Sequence, residues 1–165
     1  MAHIMPDGDC PRGYDRVWPP GQGRSLAIDH SQRESRERSL WLELDEASRQ
    51  RLHERATLPV LRASHVTIAH RVVPNDLAPA LIPGGYTPGD VVDANAIALC
   101  SDERVQAVIV EIAGSTWRPF DGGTLHVTLS RVEQASSWDA NAMLQRAERV
   151  ECQIALRGVL RWIDV

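Results

Sequence analysis

The chain has 165 residues, enough for one domain with a substantial core, and a formal net charge of −4; that balance excludes the basic footprint expected of a duplex nucleic-acid binder. All 18 basic residues are arginine, which excludes Schiff-base, adenylated-lysine and P-loop-lysine chemistry. The arginine bias fits either GC-rich coding or guanidinium forks chosen for phosphate.

Residues 1–24 carry Pro6, Pro11, Pro19 and Pro20 with several glycines, and Tyr14 and Trp18 are their only large anchors. Together with the charged run Ser31–Ser39 they read as an irregular leader, residues 1–39, with a short strand at Ser25–Ile28. Arg33, Arg36 and Arg38 in that run either face solvent or meet an anionic ligand. Leu40–Leu44 is a strand. Asp45 then caps a helix with Glu46 in its first turn, extending to about Ala56. The first strongly apolar strand of interest covers about 64–73 and ends before Pro74.

Residues 74–90 form a Pro- and Gly-rich loop with Tyr86 near its tip. Two strands, Val91–Cys100 and Arg104–Ile112, join through a tight turn at Ser101-Asp102-Glu103. A second loop, Gly114–Gly123, contains Trp117, Arg118 and the single Phe, Phe120. A further strand spans about 124–132, and Ser136 or Ser137 caps a helix reaching Val150. The chain ends with strands at about 151–157 and 159–164, separated at Gly158. The expectation is one domain, residues 40–165, with an α+β fold of two lobes and two mainly antiparallel sheets.

One phrase occurs twice: Ser64-His65-Val66-Thr67-Ile68 and Leu125-His126-Val127-Thr128-Leu129. Each is a His-x-Thr within a β-branched apolar run. Alternation along a strand puts His and Thr on one face and the aliphatic residues on the other. Two imidazoles facing one cleft can divide the labour of base and acid near neutrality, and hydroxyls can hold phosphoryl oxygens. Simple alternation adds Ala69 and Arg71 to the face of His65, with Arg71 about 20 Å further along, and Ser130 to that of His126. It turns His70 away from the cleft, as a structural residue.

The paired motif, with a strand and helix before its first copy, resembles the 2H phosphoesterase superfamily. Within it the chain is most similar to the cyclic phosphodiesterase domains of fungal and plant tRNA ligases and related 2′,3′-cyclic-nucleotide phosphodiesterases, and the run His65-Val66-Thr67-Ile68-Ala69-His70-Arg71 resembles the fungal version in particular. The likeness covers residues 40–165. It implies a bilobal α+β fold around a pseudo-twofold cleft, with His65 and His126 as catalytic pair and Thr67 and Thr128 on the phosphate. It also implies a metal-independent enzyme without a cofactor. The implied substrate is a 2′,3′-cyclic phosphate on an RNA terminus or small nucleotide, opened to a 2′-phosphate as in RNA processing or repair. Other branches act on 2′,5′-linked or cyclic oligonucleotides; a non-catalytic nucleotide- or RNA-end-binding module and an unrelated α+β interaction domain with an accidental repeat are the remaining alternatives. The motifs lie only 61 positions apart, compact for the superfamily, and no kinase or ligase segment accompanies them.

Ser130, Arg71, Tyr86 and Trp117 complete the candidate substrate contacts. An aromatic in a long loop either stacks on a base or fills the loop's own core. Trp41, Trp138 and Trp162 lie in regular elements and read as core. His53-Glu54 lacks the second His of a zinc-helix motif, and no Walker or Rossmann glycine pattern is present. Cys10, Cys100 and Cys152 form no metal-ligand spacing. With no apolar stretch of membrane-spanning length and no signal-peptide core, a reduced cytoplasmic protein is expected.

Overall fold

A computed structural model of the chain describes residues 36–77 and 82–165. The leader as far as residue 35, with its expected strand at Ser25–Ile28, lies outside the described residues. The elements in order are β1 (Arg38–Leu44), α1 (Glu46–His53), β2 (Val60–Leu61), β3 (His65–Val72), β4 (Val91–Ser101) and β5 (Val105–Glu111). They continue with β6 (Trp117–Arg118), β7 (Gly123–Thr124), β8 (His126–Arg131), α2 (Asp139–Leu144) and β9 (Val150–Asp164). Arg38 and Ser39 therefore belong to the first strand and not to the leader.

Strands dominate this mixed fold. Seven of them form one curled sheet in the order β2-β8-β5-β4-β9-β1-β3, and β6-β7 is a separate ribbon. Every pairing is antiparallel. The expected two main sheets are thus a single hydrogen-bonded one, because the long strand β9 pairs with β1 on one side and β4 on the other.

Consecutive strands β2 and β3 sit at opposite ends of that order, and the short passage between them draws the ends together. Arg62 and Ala63 donate their N–H groups to Leu129 and Thr128, both at 2.8 Å, while Ser64 accepts from Leu44 at 3.0 Å. Ala63, fully buried, makes the corner at φ +36°.

The interior of the curl holds Leu40, Leu42, Val66, Ile68, Val127 and Leu129. A second cluster seats α2, through Ala140, Met143 and Leu144, on Val105, Ala107 and Ile109 of β5. With apolar material on both faces, β5 is buried from Val105 through Val110, which explains its apolar run Ala107–Val110; the buried Gln106 is satisfied by hydrogen bonds with Thr57, Arg55 and Ser130.

Local chemistry sets the connections. Asp45 caps α1 by accepting from the Ser48 N–H at 2.7 Å. This hydrogen bonding with Ser48 holds its carboxyl below the ordinary value. The helix stops at His53, short of the expected Ala56. Asp102 closes the β4–β5 hairpin through the N–H groups of Arg104 and Val105. The helix expected from Ser136 to Val150 shrinks to six residues, α2. Gly158 does not break the last strand. It pairs with Leu44 in the antiparallel register of β9 and β1, and a Cβ there would clash with the Glu43 carbonyl oxygen, so glycine keeps the strand continuous.

Both motif strands carry a bulge directly after their threonine. On β3, Thr67 opposes Trp41 and Ala69 opposes Leu40, leaving Ile68 as the extra residue. On β8, Thr128 opposes Ala107 and Ser130 opposes Gln106, leaving Leu129 as the extra residue. Ile68 and Ala69 are consequently both buried, as are Leu129 and Ser130. An extra residue moves everything beyond it to the other face.

Candidate functional site

The curl brings β3 and β8 together, and a cleft of about 250 Å³ opens where their polar faces meet. His65, Thr67, His126 and Thr128 all line it. Neither threonine hydroxyl bonds to a described residue. The His126 Nδ1–H donates to the Thr124 carbonyl at 2.8 Å; a carbonyl can only accept, so the tautomer is set and Nε2 is the reactive nitrogen. In His65, Nδ1 is held by the Ser64 hydroxyl at 2.8 Å. Its ring lies flat under Trp41, centroids 3.7 Å apart and planes 8° from parallel.

Burial sets the electrostatics. It pushes His65 down from 6.5 to about 4, and the neighbouring charge of His126 acts in the same direction. His126 is also lowered, first by burial and then by Arg118, although the Thr124 carbonyl and Asp121 oppose the shift. Both shifts favour neutral rings at pH 7 in the free protein.

An ion pair between a buried arginine and an exposed carboxylate forms the adjacent wall. Arg118 on β6 is 5% exposed. Its Nε and Nη2 each donate to one oxygen of Asp121 at 2.8 Å, and Nη2 also reaches Asn141 Oδ1 at 2.9 Å. The fork ties the β6–β7 ribbon to α2. Although burial works against ionisation, these hydrogen bonds and the Gly123 N–H keep the Asp121 carboxyl below its ordinary value. A Cβ at residue 123 would lie 2.6 Å from Arg118 Nη2, which makes glycine part of the cradle. Arg62, which also lines the cleft, forms no ion pair or side-chain hydrogen bond among the described residues.

The structure does not bring the secondary candidates to this cleft. Ser130 is fully buried on the far side of the bulge, donating to Gln106 Oε1 at 2.9 Å and accepting from the Leu58 N–H. Arg71 lies beyond the first bulge at φ +53°, exposed and paired with Glu37. Tyr86 packs against the main core beside Ile82, Val92 and Leu160. Trp117 is 55% exposed on β6 and does not line the cleft.

Three residues expected elsewhere do line it. His70 is returned to the cleft face by the Ile68 bulge. Trp41, expected in the core, covers His65. Trp138, also expected in the core, is 59% exposed and meets His70 edge-on at 4.8 Å. Trp162 is partly buried against the main core, as expected.

Among the described residues no group of three or more His, Cys, Asp or Glu side chains is placed to hold a metal ion. Among the same residues no helix is long and apolar enough to cross a membrane. No family model, curated protein or solved structure matches the chain.

Proposed function

We propose that the protein is a metal-independent phosphodiesterase of the 2H type, hydrolysing the 2′,3′-cyclic phosphate of an RNA end or small nucleotide to a 2′-phosphate. The observation that carries this reading is the cleft itself. Two imidazoles with tethered Nδ1 atoms and two unpartnered threonine hydroxyls converge there from two strands of matching local form. The repeated His-x-Thr and the bulge after each copy support a pseudo-twofold, two-lobed organisation within the curled sheet.

Thr67 and Thr128 donate to the non-bridging phosphoryl oxygens. His65, the ring driven furthest toward its neutral form, takes a proton from water at Nε2 as the water oxygen attacks phosphorus. The P–O3′ bond breaks, and His126 Nε2 delivers a proton to the departing O3′. The Thr124 carbonyl and Asp121 both favour the imidazolium that His126 must carry. The bound phosphate anion favours protonation as well, so the acid is charged once substrate is present.

The test is incubation with the four nucleoside 2′,3′-cyclic phosphates in chelator, separating 2′- from 3′-monophosphate products. The expected product is the 2′-phosphate, with His65→Ala and His126→Ala each lowering kcat by roughly 10²–10⁴-fold. Full activity in both variants overturns the reading. Binding without turnover of these compounds, of 2′,5′-linked oligomers and of cyclic dinucleotides would instead identify a nucleotide-binding module.

A further inference from the structure

The third imidazole of the cleft is not used by the paired-histidine reaction, and its surroundings define which hydrogen it presents. The buried hydroxyl of Ser39 has two partners: the Arg71 N–H at 3.4 Å and His70 Nδ1 at 2.9 Å. A backbone N–H can only donate, so Ser39 Oγ accepts from Arg71. The hydroxyl's own proton then has one described acceptor, His70 Nδ1. A fully buried hydroxyl left without an acceptor carries a desolvation penalty. His70 is thereby held as the Nε2–H tautomer. Its Nε2 has no protein partner among the described residues and is not one of the buried orphan atoms, so this N–H is accessible on a ring that lines the cleft.

The chain's own irregularity creates this arrangement. Without the Ile68 bulge, His70 would face away from Thr67. With it, His70 stands about two strand steps, roughly 7 Å, beyond Thr67 on the same face. That is the distance of a nucleoside's sugar or base from its phosphate. Trp138 closes the same end with its ring edge-on to the imidazole.

We propose that His70 is a substrate-binding residue, a neutral Nε2–H donor to an acceptor atom on the nucleoside portion of the substrate, with Ser39 as the positioning residue that fixes its tautomer. Burial, reinforced by Arg71 and Arg118 against the opposing Glu37, favours the neutral ring. The tautomer stands independently of the phosphodiesterase reading; the identity of the acceptor rests on it.

Two measurements on the full chain test the proposal. Long-range ¹H–¹⁵N correlation spectra should show His70 protonated at Nε2 in the wild type and a tautomer mixture in Ser39→Ala; an Nδ1–H ring in the wild type overturns it. With nucleoside 2′,3′-cyclic phosphates, His70→Ala should raise KM about 3–10-fold, the loss of one hydrogen bond, and leave kcat nearly unchanged. His70→Gln, which can place an amide N–H near the former Nε2–H, should recover most of the loss. A KM unchanged in His70→Ala, or a fall in kcat alone, overturns it. A loss that differs among the four nucleotides assigns the acceptor to the base; a loss that persists with ribose 2′,3′-cyclic phosphate, which carries no base, assigns it to the sugar. If the wild type turns over no cyclic phosphate, the phosphodiesterase reading fails by itself. The same nucleotides titrated by tryptophan fluorescence then decide the role of His70, with equal affinity in wild type and His70→Ala counting against it.

Discussion

Trp41 and His65 form a parallel stack, with centroids 3.7 Å apart and planes 8° from parallel, across the boundary between β1 and β3. The indole removes one face of the imidazole from water. Burial is the first cause of the depressed His65 value, about 4, and Trp41 supplies a large part of that cover.

Trp41→Leu should therefore let water reach the ring and move the His65 value back toward 6.5, by roughly one unit. The readout is the His65 ring resonance followed through pH. An unchanged titration would mean that the rest of the cleft, and not the indole, excludes water.

The same physics shapes the pH dependence of turnover. In kcat/KM, which reports the free enzyme, the acidic limb follows His65 near 4 and the basic limb follows His126, itself below 6.5. The optimum of kcat/KM should thus fall on the acidic side of neutrality. Because the phosphate anion stabilises imidazolium, the basic limb of kcat should lie at higher pH than that of kcat/KM. A kcat/KM optimum above pH 7 would contradict these environments.

The motif strands were legible in the sequence because an apolar, β-branched run around His-x-Thr has a clear period of two. The bulges were not legible. Ile68-Ala69 and Leu129-Ser130 look like continuing alternation, and only pairing with Leu40 and Gln106 shows one residue too many on each strand. That single miscount moved Ser130 out of the cleft and His70 into it. Arg118 and Asp121 are not marked as site residues by the sequence for another reason: they sit in a loop with no period, and the bond from Arg118 to Asn141 that fixes them in the wall comes from the distant α2. Gly158 reads as a strand end because glycine usually is one, whereas here it sits in a continuous strand where the Glu43 backbone approaches closely.

That close approach gives a stability prediction. Gly158→Ala would set a Cβ against the Glu43 carbonyl and Leu42 side chain, and a backbone atom cannot yield as a side-chain tip can. Separating β9 from β1 disturbs the middle of the sheet, so a loss of about 3 kcal/mol or more is expected. Urea denaturation measures it, and a change under about 1 kcal/mol would show that the strands can part locally.

Asp121→Asn separates structural from electrostatic contributions in the cleft wall. It leaves the buried guanidinium of Arg118 without its counter-charge; because Asp121 itself is exposed and water screens the pair, the cost should fall below the about 3–5 kcal/mol of fully buried pairs. It also removes a group that favours protonated His126 and leaves the Arg118 charge unopposed. The His126 value should drop further, carrying the basic limb of kcat/KM to lower pH. An unmoved basic limb would assign that limb to a group other than His126.

The depressed His65 value also couples folding to pH. The unfolded chain protonates this ring near 6.5 and the folded one near 4, so between those values the unfolded state binds more protons. Stability from this source is fully present above pH 6.5 and declines as pH falls, with a total of order 3 kcal/mol lost by about pH 4. His126 and His70, shifted in the same direction, lose stability in the same sense, so the wild type alone cannot isolate His65. His65→Asn removes this one titration and leaves the other two. Urea midpoints at pH 7 and pH 4.5 should fall less in His65→Asn than in the wild type. Parallel falls would place the His65 ring in water at both values, and the stack with Trp41 would then exert no hold on its proton.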